Sequence, residues 1–393
     1  MSLRLLVDEN IPGVEQMADA GVDVLRFHGR HLCRSDLLDA DAVFVRSITR
    51  VDERLLHGTA VRFVGTATSG YDHIDRGYLD AAGIAYAHAP GANANSVVEY
   101  VLAAVSACGD SLEKLLSGGC MGIVGQGHVG RLLAQRCAAL GIRTRECDPW
   151  LEPSTLANPT GLSEVLRCDV VSLHCSLGTQ QPHPSWHLLG ERELALLAPN
   201  AVLINASRGA VIHNNALRGF LAHRDDVQVV LDVWENEPDI DTTLLQRVTF
   251  GTAHIAGYSL DGKLLATQML LRALDEALTA PDKMAGHTHM AASRRFSASN
   301  AVIALPTPRF VSNMARPEAL RALLGQRYLI EDDDQQLRAA MADATPTARA
   351  AAFDALRATY RPRRELWGSL VNVTNPCVDD LALLDALGCQ VRV

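Results

Sequence analysis

Short apolar runs alternate with longer mixed stretches along the first ninety residues. The apolar runs lie at 3–7, 22–27, 42–45, 63–65 and 84–88, and the segments between them have helical patterning. Short strands joined by helices are typical of a parallel sheet with crossover helices. The pattern therefore predicts a first α/β unit that ends near Pro90 and Gly91. It also predicts a helix at 96–108, capped by Asn95 or Ser96.

A second alternation begins at residue 121 and continues to about residue 251. It predicts strands at 121–124, 143–147, 170–174, 202–205, 229–233 and 249–252, and then a long amphipathic helix at 264–278. This second α/β unit therefore lies between two helices that could act as hinges. The helix at 264–278 is placed to return to the first unit.

The composition changes beyond Pro281. Residues 285–300 are small, polar and contain histidine, which is typical of a linker or arm. Residues 317–357 are rich in alanine and leucine, which indicates helix. Patterns at 370–373, 379–387 and 391–393 then predict a β-α-β arrangement. We therefore predict a small third domain.

Length and composition support a folded chain of several domains. A chain of 393 residues is long for one core, and its 48% hydrophobic and 21% charged residues are typical of globular proteins. The net charge of −9 argues against a general binder of nucleic acid or of anionic membranes. No apolar run is long enough to span a bilayer, and the charges at Arg4, Asp8 and Glu9 argue against a signal peptide.

The cysteines favour a reducing compartment. The nine residues are scattered, odd in number and without a C-x-x-C pair, so we expect free thiols in the cytoplasm. His174 and Cys175 are adjacent, but no second pair matches them. We therefore expect no metal site.

A glycine-rich motif, G-x-G-x-x-G at 125–130, follows the strand at 121–124. By itself this pattern fits a tight turn as well as it fits a dinucleotide site. Here a strand precedes it, a helical stretch at 132–140 follows it, and Asp148 ends the next strand about 18 residues beyond the last glycine. The context therefore favours a dinucleotide site.

Each part of this motif has a physical role in such a site. Gly125 permits the turn, Gly127 lets the backbone approach a pyrophosphate, and Gly130 lets the helix pack on the strand. Asp148 would accept hydrogen bonds from the ribose hydroxyls and repel a 2′-phosphate. Pro149 and Trp150 follow it, with no basic residue nearby. The sequence therefore predicts NAD rather than NADP.

Three polar loops follow strands of the second unit, at 205–209, 232–238 and 251–258. Ligands of open α/β sheets bind beyond the carboxyl ends of the strands, so these loops should converge. Arg208 offers a planar fork for a carboxylate, and His254 can accept a hydroxyl proton with Glu237 as its partner. Each residue alone would fit a structural role. Together, behind a nucleotide motif, they predict the catalytic set of a 2-hydroxy acid dehydrogenase.

These motifs resemble the D-2-hydroxyacid dehydrogenase family, in which the arginine, glutamate and histidine stand in N-x-x-R-G, E-x-E-P and H-I-x-G contexts. Residues 95–99 resemble, in looser form, the family's helix at the domain junction. The resemblance implies a Rossmann NAD-binding domain inserted into a split flavodoxin-like substrate domain, plus a small α+β C-terminal dimerisation domain. The implied boundaries are 1–93 with 257–285 for the substrate-binding (lid) domain, 94–256 for the NAD-binding domain and 286–393 for the dimerisation domain.

Residues 6–10, 45–49, 64–75 and 254–258, with the C-terminal extension, resemble one branch of this family. This narrower resemblance implies oxidation of 4-phospho-D-erythronate to (R)-3-hydroxy-2-oxo-4-phosphobutanoate on the route to pyridoxal 5′-phosphate. It also implies a homodimer formed through the C-terminal domain. The partner is then a small phosphorylated 2-hydroxy acid, with no nucleic acid and no membrane.

The resemblance also implies roles for individual residues. By resemblance, substrate contacts are expected at Ser47, Thr68 and Tyr258. The chemistry adds the backbone amides of Ser69 and Gly70, which with Arg208 would hold the carboxylate. Arg46 is a candidate clamp for the phosphate or the carboxylate, although it fits a surface arginine at a strand end equally well. NAD contacts are expected at Gly125, Gln126, Gly127, His128, Val129, Gly130, Asp148, Cys175, Ala206, Ser207, Asp232 and Gly257. Cys175 departs from the family, which often has threonine there, so one cofactor hydrogen bond should be weaker.

Two alternatives stay open at this point. The chain could act on another D-2-hydroxy acid such as 3-phosphoglycerate, or it could be an NADH-responsive, non-catalytic, corepressor-like binding protein. The basic residues of 361–364 could reach a substrate phosphate across a dimer, although a solvated charge run is the favoured interpretation.

Overall fold

The computed structural model describes residues 2–17, 21–279, 306–312, 314–342 and 345–392. The linker predicted at 285–300 lies outside the described residues. The strands are β1 (Leu3–Asp8), β2 (Val22–Phe27), β3 (Ala42–Val45), β4 (Phe63–Thr66), β5 (Ala85–His88), β6 (Cys120–Val124), β7 (Arg143–Cys147), β8 (Val170–Leu173), β9 (Val202–Asn205), β10 (Gln228–Leu231), β11 (Phe250–Gly251), β12 (Arg309–Phe310), β13 (Leu370–Val373) and β14 (Gln390–Arg392). The helices are α1 (Val14–Met17), α2 (Glu53–Leu56), α3 (Arg76–Ala82), α4 (Ala94–Ala107), α5 (Ser111–Leu116), α6 (His128–Ala139), α7 (Leu162–Val165), α8 (Glu191–Leu194), α9 (Asn214–Phe220), α10 (Thr242–Leu245), α11 (Leu260–Thr279), α12 (Arg316–Gly325), α13 (Ile330–Met341), α14 (Pro346–Ala358) and α15 (Val378–Ala386).

The chain forms two compact units. The first comprises Met1–Asn93 with Leu260–Leu305, and the second comprises Ala94–Ser259 with Pro306–Val393. The predicted alternation of strands and helices is confirmed in both. The finer division into three domains stays a prediction.

The first unit is built on a parallel sheet of order β2-β1-β3-β4-β5. This is the flavodoxin-like order, as predicted. Helix α11 returns to this sheet, where Leu270, Leu271 and Leu274 pack in one core with Leu5 and Phe44. The predicted helix at 264–278 is therefore confirmed, with four residues more at its start and one more at its end.

The second unit contains a parallel sheet of order β11-β10-β9-β8-β6-β7. The order reverses at β6, which has β7 on one side and β8 on the other. An isolated parallel bridge between Glu146 and Pro159 adds a minimal further strand position beside β7. Strands β8 and β9 are buried throughout, as expected for a parallel sheet covered on both faces. The reversal at β6 creates the crevice in which Rossmann folds bind nucleotides.

A smaller parallel sheet of order β12-β13-β14 lies in the C-terminal part of the second unit. Its β13-α15-β14 connection confirms the predicted β-α-β arrangement. The helical stretch predicted at 317–357 is three helices, α12 to α14. The last of them begins at Pro346, whose fixed φ suits a first helical position, and Thr345 caps it.

The C-terminal residues 306–392 pack directly on the nucleotide-type sheet and its helices. Leu320 and Leu323 share a core with Val101 of α4, while Phe353 shares a second core with Trp234. Hydrogen bonds between the C-terminal residues and the rest of this unit add to these apolar contacts. The Glu99 carboxylate accepts backbone hydrogen bonds from residues 366 and 367 at 2.8–3.0 Å, and Arg338 and Arg136 donate to backbone carbonyls across the same contact.

Two local predictions are wrong, for tertiary reasons. Helix α4 already begins at Ala94, and the Ser96 hydroxyl does not cap it but donates to the carbonyl of Ala256 at 2.8 Å. Arg363 is not part of a solvated charge run. It is only 6% exposed and donates to the same Ala256 carbonyl at 2.5 Å and to the Ser96 hydroxyl.

None of the described helices has the length and apolar character needed to cross a membrane.

Candidate active site

The glycine-rich turn joins β6 to α6. Gly125 has a φ of +90°, and a Cβ there would come within 2.5 Å of the Cys175 nitrogen. A Cβ at Gly130 would overlap the carbonyl oxygen of Gly125, so helix and turn require glycine at both positions. Gly127, the N-cap of α6, instead has open space beside its Cα. An open N-cap on a twelve-residue helix suits a phosphate group.

The turn is held by the acid predicted to bind the ribose. Asp148 follows β7, and its carboxylate accepts hydrogen bonds from the backbone of Gln126 at 2.8 Å and of Trp150 at 3.1 Å. The Gln126 side chain is buried, and within the described residues its Nε2 makes no hydrogen bond. A buried amide donor without a protein acceptor suits a ligand oxygen. The residues of this turn therefore fit a dinucleotide. His128 and Val129 begin α6 beside it.

Further predicted cofactor residues follow β8 and β9, on the same edge of the sheet. Burial raises the pKa of the Cys175 thiol to about 11, so it stays neutral at physiological pH. Its neighbour His174 is also neutral, because burial lowers its pKa to about 3, and its Nε2 lies 2.9 Å from the Ser172 hydroxyl. Ala206 and Ser207 come directly after β9.

The loop that carries Arg208 is built by Asn205. The Asn205 side chain accepts from the backbone and hydroxyl of Ser207 at 3.1 and 2.8 Å, and it donates to the Arg208 carbonyl at 3.0 Å. Arg208 is half-buried and donates to the Ser207 carbonyl at 2.8 Å. A Cβ at Gly209 would overlap the backbone of Trp234. Glycine therefore lets this loop lie directly against the loop after β10.

Glu237 and His254 form a hydrogen-bonded pair. The Glu237 Oε2 lies 2.7 Å from His254 Nδ1, and Oε1 accepts from the backbone nitrogen of Trp234 at 2.8 Å. Both side chains are half-buried. His254 has a φ of +56° and Asn236 a φ of +62°. Left-handed conformations are uncommon for residues other than glycine, and asparagine and histidine adopt them more readily than most.

Asp232 is the residue that holds the His254 loop. Its buried carboxylate accepts from the backbone nitrogens of Ile255 at 2.7 Å and Ala256 at 3.0 Å. It also accepts from the Thr252 hydroxyl at 2.6 Å, which in turn lies 2.8 Å from the hydroxyl of Tyr100. The sequence predicted Asp232 as an NAD contact. The structure adds a positioning role for Asp232, and neither Thr252 nor Tyr100 was predicted.

Arg357, in the C-terminal part of the chain, acts electrostatically on the Glu237–His254 pair. Burial would raise the pKa of Glu237, but His254, the Trp234 N–H and Arg357 outweigh it, and the pKa lies below its usual range. Arg357 is on α14, and its guanidinium carbon lies 5.8 Å from the ring centroid of Tyr258. Tyr258 packs edge-on against Tyr360, with 5.8 Å between their ring centroids. No sequence signal marked Arg357, because an arginine in an alanine-rich helix is usually solvated.

The lowered pKa of Glu237 predicts a pH-dependent stability. Its carboxylate contributes stability that is fully present above its ordinary pKa of 4.5 and is lost as the pH falls through the lower folded value. We expect Glu237→Gln to reduce the loss of stability as the pH falls from about 5.5 to about 3, a range that includes the ordinary pKa of 4.5 and the lower folded value. The urea midpoint at each pH measures this. The control is Glu191→Gln at an exposed position of the same unit, and an equal change in that variant would contradict the prediction.

The substrate residues predicted in the first unit follow two neighbouring strands. Arg46 and Ser47 come after β3, and residues 68–70 come after β4, which pairs with β3 in parallel. Arg46 is buried, with its Nη1 3.9 Å from Asp8 Oδ1, and so is not the surface arginine of the alternative interpretation. The Thr68 hydroxyl donates to the Gly70 carbonyl at 2.7 Å, and Ser69 donates to the Asn93 side chain at 2.7 Å. The structure therefore brings these residues to one edge of the five-stranded sheet.

Two family models match the chain. The model described as "D-isomer specific 2-hydroxyacid dehydrogenase, NAD binding domain" matches residues 104–256. A "Domain of unknown function" (DUF3410) matches residues 305–388.

Similar curated proteins cover almost the whole chain. The chain is 43% identical over 367 residues to a protein named erythronate-4-phosphate dehydrogenase from Cellvibrio japonicus (strain Ueda107), covering 92% of this chain and 93% of that one. It is 41% identical to the protein of the same name from Azotobacter vinelandii (strain DJ / ATCC BAA-1303), covering 99% of this chain and 100% of that one.

Solved structures share the fold. D-lactate dehydrogenase from Aquifex aeolicus, complexed with NAD and lactic acid, superposes with a TM-score of 0.57 at 21% identity, covering 70% of this chain and 95% of that one. NAD⁺-bound 3-phosphoglycerate dehydrogenase from Entamoeba histolytica gives 0.59 at 22% identity, with the same coverage. The predicted fold class, with a Rossmann-type NAD-binding part and a small C-terminal part, is confirmed.

Proposed function

The chain belongs to the erythronate-4-phosphate dehydrogenases of the D-isomer-specific 2-hydroxyacid dehydrogenase family, and we propose that it oxidises 4-phospho-D-erythronate with NAD. The product is (R)-3-hydroxy-2-oxo-4-phosphobutanoate, and the pathway is pyridoxal 5′-phosphate biosynthesis. The observation that carries this proposal is the Glu237–His254 pair, 2.7 Å apart, on the sheet edge that also holds the glycine turn. A histidine so placed is a base for a substrate hydroxyl.

His254 is proposed as the general base. With Nδ1 donating to Glu237, the neutral ring presents Nε2 as its acceptor, and Nε2 takes the proton of the C2 hydroxyl. The imidazolium that forms is stabilised by the Glu237 carboxylate. Arg357 helps to keep that carboxylate ionised, because its positive charge favours the anion. Glu237 and Arg357 thus act through His254.

Arg208 is proposed to hold the substrate carboxylate. Its guanidinium presents two parallel donors that match a carboxylate, and the Asn205 hydrogen bonds fix the loop behind it. In the first unit, the backbone amides of Ser69 and Gly70 are proposed as substrate contacts together with Arg46, Ser47 and Thr68. In the second unit, Tyr258 is proposed as a further substrate contact. Buried Arg46 is a candidate for the phosphate, since a desolvated guanidinium binds such an anion strongly.

The proposed NAD contacts are the turn, the acid of β7 and the residues at the ends of the following strands. They are Gly125, Gln126, Gly127, His128, Val129, Gly130, Asp148, Cys175, Ala206, Ser207, Asp232 and Gly257. When bound, the nicotinamide supplies the acceptor for the hydride that leaves C2. Two features support the assignment: the open N-cap at Gly127 and the buried Gln126 amide without a protein acceptor.

A substrate panel tests the function. Purified protein with NAD should form NADH, read at 340 nm, with 4-phosphoerythronate and far more slowly with unphosphorylated erythronate. Faster turnover of 3-phosphoglycerate would overturn the substrate assignment. Binding of NADH without turnover of any acid in the panel would overturn the enzyme assignment in favour of a non-catalytic binding protein.

Asp148 predicts the cofactor preference. Its negative charge lies where a 2′-phosphate would approach, and juxtaposed like charges cost several kcal/mol. We expect kcat/KM with NAD to exceed that with NADP by at least about a hundredfold, which is roughly 2.7 kcal/mol. Asp148→Asn should narrow this ratio, and the hydrogen bond from Gln126 can still be accepted by the amide oxygen. Comparable turnover with NADP in the unaltered chain would contradict the assignment.

A homodimer through the C-terminal residues is also proposed. Its support is a group of exposed apolar side chains in that part of the chain: Val311, Trp367, Leu370, Val378 and Leu381. Light scattering should give twice the chain mass of 42.4 kDa, and Val378→Asp should shift the value toward one chain. A monomeric unaltered chain would contradict the proposal.

A cytoplasmic location is also proposed, because all nine cysteines are free thiols.

A further inference from the structure

Two cysteines lie side by side at the end of β6 that is remote from the glycine turn. Cys120 is the first residue of β6, Cys168 lies two residues before β8, and their sulfurs are 3.4 Å apart. Strands β6 and β8 pair in parallel, with Met121 opposite Val170. Asp169 fixes this register, because its backbone nitrogen donates to the Cys120 carbonyl and its carboxylate accepts from the Cys120 nitrogen at 2.8 Å. The two thiols are therefore held together by the sheet itself.

The surroundings of Cys120 are positively charged and open to small molecules. Its half-buried side chain lines a surface cavity together with Arg143, Arg145 and Asn158. Lys114, on the preceding helix, pairs with Asp169 at 2.7 Å, so it neutralises the nearest carboxylate. Cys168 is only 2% exposed. A small oxidant can therefore reach the Cys120 sulfur from solvent, whereas the Cys168 sulfur is buried next to it.

The two thiols differ in acidity. The hydrogen bond from Cys168, together with Arg145 and Arg143, lowers the pKa of Cys120 to about 7. The same hydrogen bond raises the pKa of Cys168, which therefore keeps its proton. Burial raises the pKa of Cys108, Cys137 and Cys389 to about 12. A thiolate beside a protonated thiol is the pairing that redox-active dithiols use.

We propose that Cys120 and Cys168 form a peroxide-oxidisable dithiol, a modification site separate from the catalytic edge of the sheet. The Cys120 thiolate attacks hydrogen peroxide, forming an S–O bond and breaking the O–O bond, and the released hydroxide is protonated to water. The sulfur of Cys168 then attacks the sulfenic acid. An S–S bond forms, the S–O bond breaks, and the hydroxyl leaves as water with the Cys168 proton. Two electrons pass from the thiols to the peroxide.

The backbone permits this bond. The register places Cys120 opposite Asp169, so Cys168 is offset by one residue. With strands about 4.8 Å apart and a rise of about 3.3 Å per residue, the two Cα atoms lie roughly 5.8 Å apart, within the roughly 4.4–6.8 Å that disulfides join. The sulfurs need only approach from 3.4 Å to bonding distance. The product would tie the start of β6 to the residue before Asp169, across two central strands of the nucleotide-binding sheet. It would be reversible by thiols, as transient cytoplasmic disulfides are.

The first test counts thiols and maps the link. Reduced protein is treated with hydrogen peroxide at a few equivalents and quenched with catalase. One portion is unfolded for thiol titration, and another is unfolded, alkylated and digested. Titratable thiols, measured after unfolding, should fall by two and return with dithiothreitol. Trypsin should release peptide 115–131 joined to peptide 168–192, and fragmentation should place the link on Cys168 rather than on Cys175. Loss of no thiols, or a link between other cysteines, would overturn the proposal.

Variants distinguish the role of Cys120, which attacks the peroxide, from the role of Cys168, which attacks the sulfenic acid. In Cys168→Ser the reaction should stop at a sulfenic acid on Cys120 that dimedone traps, whereas Cys120→Ser should give neither adduct nor link. Cys33→Ser, which removes an exposed thiol of the other compact unit, should leave the link unchanged. Equal thiol loss in Cys120→Ser would overturn the proposal. The peptide map of the unaltered chain decides the outcome even if a variant fails to fold.

Discussion

Replacing His254 by alanine should lower the rate of hydroxy acid oxidation by at least about a hundredfold, the usual size of a general-base contribution. The side chain makes its hydrogen bond to Glu237 through Nδ1, so its removal takes away the proton acceptor and leaves the loop backbone in place. The loop should survive because Asp232 holds residues 255 and 256 by their backbone nitrogens. The loss of rate should therefore appear as a lower kcat.

Steady-state kinetics with 4-phosphoerythronate over pH 6–10 measure this effect. The affinity for NADH should stay near that of the unaltered chain, because the glycine turn is not touched. The thermal midpoint should fall modestly, because Glu237 loses its hydrogen-bond partner. The matched control is His223→Ala, at an exposed histidine of the same unit, which should keep the full rate. A near-normal rate in His254→Ala would reject the assignment of the base.

Replacing Arg363 by methionine should lower the free energy of unfolding by about 3–5 kcal/mol, the range for removing one partner of a buried ionic group. The guanidinium is buried, donates to Ala256 and Ser96, and lies 4.5 Å from the ring centroid of Tyr328. It also lowers the electrostatic cost of the half-buried Glu99 carboxylate and the buried Asp333 carboxylate. Methionine fills much of the volume but leaves those groups without the compensating charge.

Urea unfolding followed by circular dichroism measures this stability. The control is Arg50→Met, whose side chain is 82% exposed, and which should change stability by no more than about 0.5 kcal/mol. Because Arg363 holds the carbonyl of Ala256, two residues from His254, the variant should also lose rate below its unfolding temperature. A stability equal to that of the control would show that Arg363 does not hold the C-terminal residues to the sheet.

Much of the site could be predicted because its parts are local in sequence. The turn at 125–130 carries its strand, its glycines and its helix in one stretch, and Asp148 follows at the end of the next strand. Residues after successive strands of a parallel sheet gather at one edge, so the sequence predicts that the loops of Arg208, Glu237 and His254 meet there.

Other residues carried no local signal, because their partners are far away in the chain. Ser96 had the pattern of a helix cap, but its hydroxyl donates to Ala256, 160 positions later. Arg363 had the pattern of a solvated run, yet its partner is 107 positions earlier. Such choices depend on which surfaces the folded units bury, and residue spacing along the chain does not encode that.

The sequence by itself determined the two parallel α/β units and the glycine-rich turn between strand and helix, because periodicity is a local property of the chain. It predicts the set of Arg208, Glu237 and His254 from their positions at strand ends, which are also local. Only the tertiary structure decided that residues 306–392 pack on the nucleotide-binding sheet and place Arg357 and Arg363 behind the His254 loop. It also decided that Cys120 meets Cys168. The physical reason is that long-range burial and charge compensation are settled only when distant segments share one core.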